Sequence, residues 1–464
     1  MSHFQRLEKA LKKLNVTVNF ERGIYRLSRP DSEATVLLPE SLPLEAKAVK
    51  QLLDFAAVRQ PGHEGHVCKA CATPDFHPGS IAPVGSVVAT TPDLVIPAAI
   101  GTDINCGIRL IATGMDQAHL APHADACIAA LRRCLLENGR NVPVPSKAFH
   151  ALFEHGPEAW LAALQREGVW AGADFDRLYL EMAEAIGLDR FESAARHAPP
   201  ALMPEREVVR DPQLGTVGSG NHFVELQVVD AVLDRHLAYR HGLRAGMVMV
   251  MIHSGSRDVG FYVGQRWMDR ARAEWPKAVS HPESGLYGLT GPLATEYLQA
   301  MGAAARYAWA NRVVLAELVR EALATTAGCD GGRLIVDVPH NVVMREHGLN
   351  IHRKGATPAH AGELALIPGS MGDASYLVEG LGNADWLWSC SHGAGRRLRR
   401  QAVRASKLTD DAPYPWHCVT LREERRIEEA PSAYKPVGPV IEAQSEAGLI
   451  HPVVRLRPWV TFKA

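Results

Sequence analysis

The spacing of apolar and polar positions divides this chain into a short mixed lead-in, a helical stretch and a strand-rich remainder. MSHFQRLEKALKKL is amphipathic and predicts a helix. NVTVNF, YRL and ATVLLP alternate as strands, and a second helix is expected from about Pro43 to Val58, so residues 1–60 read as a small α/β lead-in. Residues 117–210 carry helical periodicity in ACIAALRRCLLENG, EAWLAALQREG and FDRLYLEMAEAIG, with Asp and Pro at their edges as caps and stops. They predict a helical insertion or layer without chemistry of its own. Residues 291–327 predict one long Ala-rich helix packing across a sheet; Asn311 and Arg312 read as its polar flank or, alternatively, as facing the site.

Elsewhere one design recurs. GMVMVMIHSGSRDVG is an apolar strand ending at His253, and GRLIVDVPHNVVMRE is another ending at His340 and Asn341. LALIPGSMGDASYL delivers Pro368, Gly369, Ser370 and Met371, and DWLWSCSHGAGR delivers His392. Active sites gather from such strand-end loops on rigid scaffolds. A lone histidine there is usually a satisfied polar residue; several placed alike, with His222, point to a site. In LGTVGSGNHFVELQVVD, a strand would turn Asn221, Phe223 and Glu225 to one face and His222 and Val224 to the other, which is costly unless both sides meet polar partners.

Composition narrows the class without choosing a function. The chain has 464 residues, 47% hydrophobic and 22% charged, an ordinary globular balance, and its net charge of -1 argues against indiscriminate nucleic-acid binding. Length alone suggests several domains, yet no Pro/Ser/Gly-rich linker marks a boundary. The N-terminus lacks the apolar core of a signal peptide and no apolar run is long enough to span a bilayer, so a cytoplasmic protein without membrane contact is expected. Eight scattered cysteines fit free thiols in a reducing compartment.

Three stretches carry candidate chemistry. His63, His66, Cys68 and Cys71 have ligand-like spacing for zinc, but no second pair stands at finger-like distance, and a loop feeding short strands is the expectation. In GTDINCG, Asp103 and Cys106 lie in a glycine-bounded turn. Carboxylate and thiolate there suit zinc, manganese or iron, and a thiolate can bridge two ions; a tight turn with a buried cysteine is the alternative. In SCSHGAGRRLRR, His392 precedes Gly393, Ala394 and Gly395, whose backbone can approach an anion, and Arg396, Arg397, Arg399 and Arg400 supply forked donors for phosphate. An imidazole beside such a cradle can accept a phosphoryl or nucleotidyl group; a glycine turn capping a solvated basic helix is the bland reading. With Asp103 and Cys106, the histidines His222, His253 and His340 are enough ligands for two adjacent divalent ions bridged by the thiolate.

GTDINCG, LGTVGSGNHFVE, HSGSR, PHN, PGSMGDASY, HGAGR, AYK and the terminal RLRPWVTFK, in this order from about Thr73 (TPDFHPG) onward, resemble the RtcB family of RNA ligases. The resemblance implies an α+β fold as a single compact catalytic domain, with central β-sheets, outer helices and the helical insertion. It implies joining of an RNA 3′-phosphate or 2′,3′-cyclic phosphate end to a 5′-hydroxyl end with GTP and two manganese ions. On that reading His392 attacks the GTP α-phosphorus to form a histidine–GMP adduct, and Asp103, Cys106, His222, His253 and His340 match the metal ligands. Asn221, Glu225, Asn341, Pro368, Gly369, Ser370, Met371, Ser375, Gly393, Ala394, Gly395, Arg396, Tyr434 and Lys463 match nucleotide-contacting positions. Glu225 at the guanine edge would favour GTP over ATP, because a carboxylate accepts from N1–H and the 2-amino group. RNA contact is expected from the local basic surface Arg396–Arg404, an archease-like activator is an expected partner, and a monomer is the default state.

Departures from the family pattern suggest a divergent bacterial branch, with RNA repair as fitting a role as tRNA splicing. Ile104 and Asn105 precede Cys106 where a glycine is common, HSGSR continues into Asp258-Val259, and Asp373 adds negative charge near the nucleotide positions. Two other readings share these residues: a two-metal phosphohydrolase or phosphodiesterase using water as nucleophile, which has no need of a covalent His392, and a non-catalytic RNA-binding paralogue, which loss of a ligand would favour.

Overall fold

A computed structural model describes residues 3–205, 207–405 and 417–464. The lead-in forms as its periodicity predicts: helix His3–Lys13, strands Thr17–Glu21, Ile24–Arg29 and Ser32–Leu37, and helix Ala46–Ala56. These three strands begin a seven-stranded sheet that continues through Val67–His77, Val84–Thr90, Leu349–Lys354 and Asn341–Glu346. Neighbours are antiparallel except Ser32–Leu37 beside Val67–His77. The His/Cys-rich segment is thus not a loop from residue 67 on. Residues 70–76 are buried on both faces, so the strand lacks the alternation that would have announced it.

The second sheet runs in the order Arg333–Pro339, Gly107–Asp116, Met247–Ser254, Phe223–Val232, Ile450–Lys463, Ser375–Gly380, Leu364–Ile367, with His417–Thr420 pairing parallel to the long terminal strand. Its registers bring several strand ends to one edge: Phe223 opposite His253, Ser254 and Pro339 both opposite Gly107, and Val224 opposite Phe462. His340 is the single residue between Arg333–Pro339 in this sheet and Asn341–Glu346 in the other. The two sheets therefore meet where the candidate residues lie.

The helix Gly291–Ala327 has the bounds its pattern predicts and ends on Gly328 in the left-handed conformation that stops helices. It lies inside the molecule. One side, with Leu315, Val319 and Leu323, packs on sheet residues Ile111, Val250 and Ile252. Its other side carries Tyr297, Tyr307 and Trp309 into a cluster with Phe149, Phe153, Trp160 and Trp170 of the helical layer. Trp160 meets Trp170 and Trp309 edge-on at 5.4 and 5.7 Å, the geometry that ring quadrupoles favour. The 117–210 stretch is thus a cover for an apolar helix that would otherwise be wetted. Among the described residues, no helix is long and apolar enough to cross a membrane.

Candidate functional site

The turn before strand Gly107–Asp116 explains its own sequence. Asn105 has φ 53°, in the left-handed region where glycine is easiest and asparagine is tolerated, and its side chain donates to Ala305 O at 2.7 Å. This accounts for an asparagine in a turn where glycine would be the easiest residue. Cys106 N donates to Asp103 O, and Cys106 O accepts from His340 N at 2.8 Å, so the turn and the sheet junction hold each other. Gly255 passes so close that a Cβ there would sit 2.0 Å from Asp103 Oδ1.

Cys106 Sγ stands 3.1 Å from His222 Nε2 and 3.3 Å from His253 Nε2. His253 Nε2 is 3.2 Å from His340 Nε2, and His222 Nε2 is 3.0 Å from Asp103 Oδ2. The ligand atoms form two triads, Asp103–Cys106–His222 and Cys106–His253–His340, which share the sulfur. Burial, then neighbouring imidazoles, pushes His253 and His340 well below the usual histidine range, so both are neutral. Burial opposes ionisation of Asp103, yet His222 holds its carboxyl below the ordinary range. Burial and Asp103 raise the Cys106 thiol. Three imidazoles, a thiol and a carboxylate with lone pairs aimed at one another are a poor arrangement for protons and a good one for cations, which reverse the local preference and deprotonate a coordinating thiol. The donor set fits divalent metal.

His63, His66, Cys68 and Cys71 are not brought together: Cys71 is buried in the core and Cys68 is exposed. His63 Nδ1 accepts from Gly65 N, and no metal-competent group among the described residues includes any of the four.

A cleft of about 580 Å³ opens beside the cluster. His392, reached through the short strand Ser389–Ser391, lines it, with its ring centroid 4.7 Å from that of His340. Its Nδ1 lies 2.6 Å from Asp75 Oδ2, and Asp75 Oδ1 accepts from Thr73 Oγ1 at 2.6 Å. Burial opposes an ionised Asp75, but the His392 bond holds its carboxyl below the ordinary range. With Nδ1 donating to this carboxylate, Nε2 keeps its lone pair. Gly395 has φ 79°, and a Cβ there would meet Asp75 O at 2.3 Å. Lys435 anchors the same strand by donating to Pro74 O and Phe76 O at 3.1 and 2.6 Å.

The residues matched to nucleotide contacts surround this cleft. Asn221, Glu225, Asn341 and Lys463 line it from the sheet edge, Pro368, Gly369, Ser370 and Met371 from one loop, and Gly393, Ala394, Gly395, Arg396 and Tyr434 from the other side. Ser375 lies beneath, its Oγ accepting from Gly369 N at 3.3 Å and Gln227 Nε2 at 3.0 Å. Lys463 is held by Gly220 O and His222 O at 3.3 and 3.2 Å, so the terminal strand does not fray there. Arg396 contacts Glu429 at 2.9 Å and Glu428 O at 2.8 Å and lies over the Tyr434 ring. Arg400 is also paired with Glu429, and Arg404 with Glu428. The arginine run is thus divided. Arg397 and Arg399 line the cleft, are exposed, and form no salt bridge among the described residues. Asp373 accepts from Val437 N at 2.9 Å, at the start of helix Val437–Glu446, where negative charge is favoured.

Several residues that hold this site carry no pattern of their own, and Asn311 and Arg312, for which a polar flank was the leading expectation, belong to its support. Arg312 donates from Nη1 to Asn105 O and Ser254 O at 2.8 and 3.1 Å and pairs with Asp337 at 2.7 Å, so one buried guanidinium ties three ligand-bearing segments together. Asn311 beside it donates to Ser254 Oγ and Gly255 O and accepts from Gly215 N. Glu181, from the helical layer read as chemically silent, joins Arg109 and Arg320 behind them. Lys354, opposite Asn341 in the hairpin, faces the cleft and donates to Ile100 O at 2.7 Å. No local spacing signals these; Asp75 stood inside TPDFHPG, a lone acid in a Pro-flanked strand.

The fold and the cluster define a metal-binding α+β protein. Comparison with known proteins narrows this. Residues 51–464 match the family model described as tRNA-splicing ligase RtcB. The chain is 33% identical to the tRNA-splicing ligase RtcB of Pyrobaculum aerophilum over 83% of its length and 85% of the relative's. It is 36% identical to the RNA-splicing ligase RtcB of Mycobacterium tuberculosis over 85% and 96%, and 34% identical to the Thermococcus kodakarensis tRNA-splicing ligase RtcB over 83% and 85%. The chain belongs to the RtcB family of RNA ligases and is an enzyme. Residues 1–50 lie outside the family match; of these, strands Thr17–Glu21, Ile24–Arg29 and Ser32–Leu37 extend the seven-stranded sheet.

Proposed function

We propose that this enzyme joins an RNA 3′-phosphate end, or a 2′,3′-cyclic phosphate once opened, to a 5′-hydroxyl end through a covalent His392–GMP intermediate, in RNA repair or tRNA splicing. The observation that carries the reading is the Asp75–His392 pair at 2.6 Å, which commits Nδ1 and leaves Nε2 as the nucleophile beside the metal cluster. Nε2 attacks the α-phosphorus of GTP; an N–P bond forms, the bond to the β-phosphate oxygen breaks, and pyrophosphate leaves. The imidazole becomes positively charged on phosphorylation, and the Asp75 carboxylate stabilises that charge through Nδ1–H. An oxygen of the RNA 3′-phosphate then displaces His392, transferring GMP to the RNA. The 5′-hydroxyl attacks the activated phosphate, giving the 3′,5′-linkage and free GMP.

Two divalent ions, manganese in this reading, would be held by Asp103–Cys106–His222 and Cys106–His253–His340 and would neutralise charge on the phosphates. Glu225 lines the cleft, and in this reading its carboxylate accepts from guanine while the exposed Arg397 and Arg399 meet RNA phosphates. An archease-like activator, a monomeric state and a cytoplasmic setting complete the reading.

The test is incubation of purified enzyme with manganese and α-labelled GTP, with an archease-like activator present, followed by alkaline quench. Acid-labile, alkali-stable label on wild-type protein and none on His392→Ala is the expected result. A metal-loaded wild-type enzyme that takes no label, yet hydrolyses phosphodiesters, would replace this reading with the two-metal hydrolase.

A further inference from the structure

Strand Phe223–Val232 turns alternate residues the same way, so Phe223, Glu225 and Gln227 share a face. Phe223 and Glu225 reach the cleft; Gln227 sits one pleat deeper and is fully buried. Its Nε2 donates to Glu225 Oε1 at 2.5 Å and to Ser375 Oγ at 3.0 Å. From the other side, Thr461 Oγ1 donates to Glu225 Oε2. Each carboxylate oxygen of Glu225 is therefore gripped once by the protein.

The remainder of the Gln227 amide is the informative part. Its Oε1 is buried with no partner. An orphaned buried acceptor forfeits its hydration without a replacement bond, and an apolar side chain of similar size would avoid that cost. Turning the amide over would set Oε1 against the Glu225 carboxylate, two acceptors face to face, so the donor stays on that side. The position thus carries a cost that packing does not repay, in return for one donor aimed at Glu225 and another at the loop-end Ser375.

We propose that Gln227 is a positioning residue for base selection: with Thr461 it holds the Glu225 carboxylate so that both oxygens face the cleft as acceptors, matching N1–H and the 2-amino group of guanine. This rests on the guanylyl-transfer reading above. Adenine presents an acceptor where guanine presents N1–H, so a carboxylate held this way rejects it, whereas a carboxylate free to rotate or take up a proton does not. Through Ser375, which also accepts from Gly369 N, the same amide links base recognition to the Pro368–Met371 loop.

The test uses full-length, manganese-loaded enzyme and compares protein labelling by α-labelled GTP, ITP and ATP as kcat/KM. Inosine retains N1–H and lacks the 2-amino group. In Gln227→Met the GTP-to-ATP preference falls about tenfold or more and the penalty for ITP shrinks, since a site loses discrimination when its polar group is no longer oriented. Thr461→Val, which removes the other donor, shifts the same ratios in the same direction and carries the test if Gln227→Met fails to fold. Equal losses for all three nucleotides in both variants would reduce Gln227 to a packing residue and overturn the proposal. The two failures separate cleanly: wild-type preference for GTP that Glu225→Ala erases but Gln227→Met and Thr461→Val leave intact refutes the positioning role alone. A wild-type enzyme labelled by no nucleotide refutes the underlying reading.

Discussion

Asp75 and His392, 317 residues apart in sequence, are bound through Oδ2 and Nδ1 at 2.6 Å, and Oδ2 also accepts from the His392 backbone N–H at 3.3 Å. Orientation and charge can therefore be separated. In Asp75→Asn the amide oxygen can keep the position of Oδ2, preserving the tautomer while removing the negative charge. Asp75→Ala removes both. Histidine guanylylation should slow by about 10²-fold in the first and about 10⁴-fold in the second, with GTP affinity little changed. Single-turnover labelling at saturating GTP reads this directly; equal rates in the two variants would show that orientation adds nothing beyond the charge.

The shared sulfur predicts how the cluster loses metal. Asp103→Ala and His340→Ala each weaken one triad, so each should retain about one ion per chain after dialysis, whereas Cys106→Ala damages both triads and should retain about none. Elemental analysis of the dialysed proteins decides it. Retention of both ions by Cys106→Ala would exclude the sulfur as a bridge.

Burial pushes the Glu225 carboxyl up to about 6, against the donors Thr461 and Gln227 and the charge of Lys463. The folded state thus holds this proton more tightly than the unfolded chain does. Stability from this group is complete below the unfolded pKa near 4.5 and is lost as pH rises through about 6. Glu225→Gln removes the loss. Its stability relative to wild type should rise by about 2 kcal/mol between pH 4.5 and pH 7, at 1.36 kcal/mol per pKa unit. Denaturant melts of metal-free protein across that range are the measurement, and a flat difference would contradict it.

Arg312 bonds to Asp337 and to the carbonyls preceding Cys106 and following His253. Arg312→Met leaves Asp337 buried without its main partner and should cost about 3–5 kcal/mol. Adding Asp337→Asn should recover part of it. Chemical denaturation of the single and double variants checks the coupling; strict additivity would place the cost elsewhere.

The division of the arginine run predicts distinct RNA phenotypes. Arg397→Ala and Arg399→Ala should each reduce the salt dependence of RNA binding by about one unit of slope, because each removes one phosphate contact. Arg404→Ala, whose guanidinium is committed to Glu428, should leave that slope unchanged. Filter binding over a range of salt distinguishes them.

How much of this was readable beforehand depended on the reach of each signal. His253, His340 and Cys106 terminate or begin apolar strands, and the helix Gly291–Ala327 repeats its pattern over ten turns' length of chain, so local periodicity exposed them. Asp75 and Arg312 act through bonds to residues far along the chain, and Gln227 through the distant Ser375 as well as its neighbour Glu225; a lone acid, amide or base in an apolar segment looks the same whether it buttresses a site or merely tolerates burial. Strand Val67–His77 was hidden for the opposite reason: both faces are covered over residues 70–76, and its two cysteines, with His63 and His66 just ahead of it, imitate a metal-binding loop. The arginines after Gly395 were visible, but Glu428 and Glu429, which claim three of them, come from a segment with no local mark of proximity.

Gly255 and Gly395 each leave a gap that a carboxylate-bearing neighbour fills: a methyl group would lie 2.0 Å from Asp103 Oδ1 in one case and 2.3 Å from the Asp75 carbonyl oxygen in the other. Neither glycine touches a ligand through a side chain, yet replacing either displaces an acid on which the cluster or His392 depends. In a saturation screen these two positions should be as intolerant as the histidines themselves, and alanine should be no gentler than a larger residue. Asn105 differs from them: at φ 53° its side chain already occupies a backbone that glycine takes most easily, so the exchange that is ruinous at Gly255 and Gly395 is accommodated there.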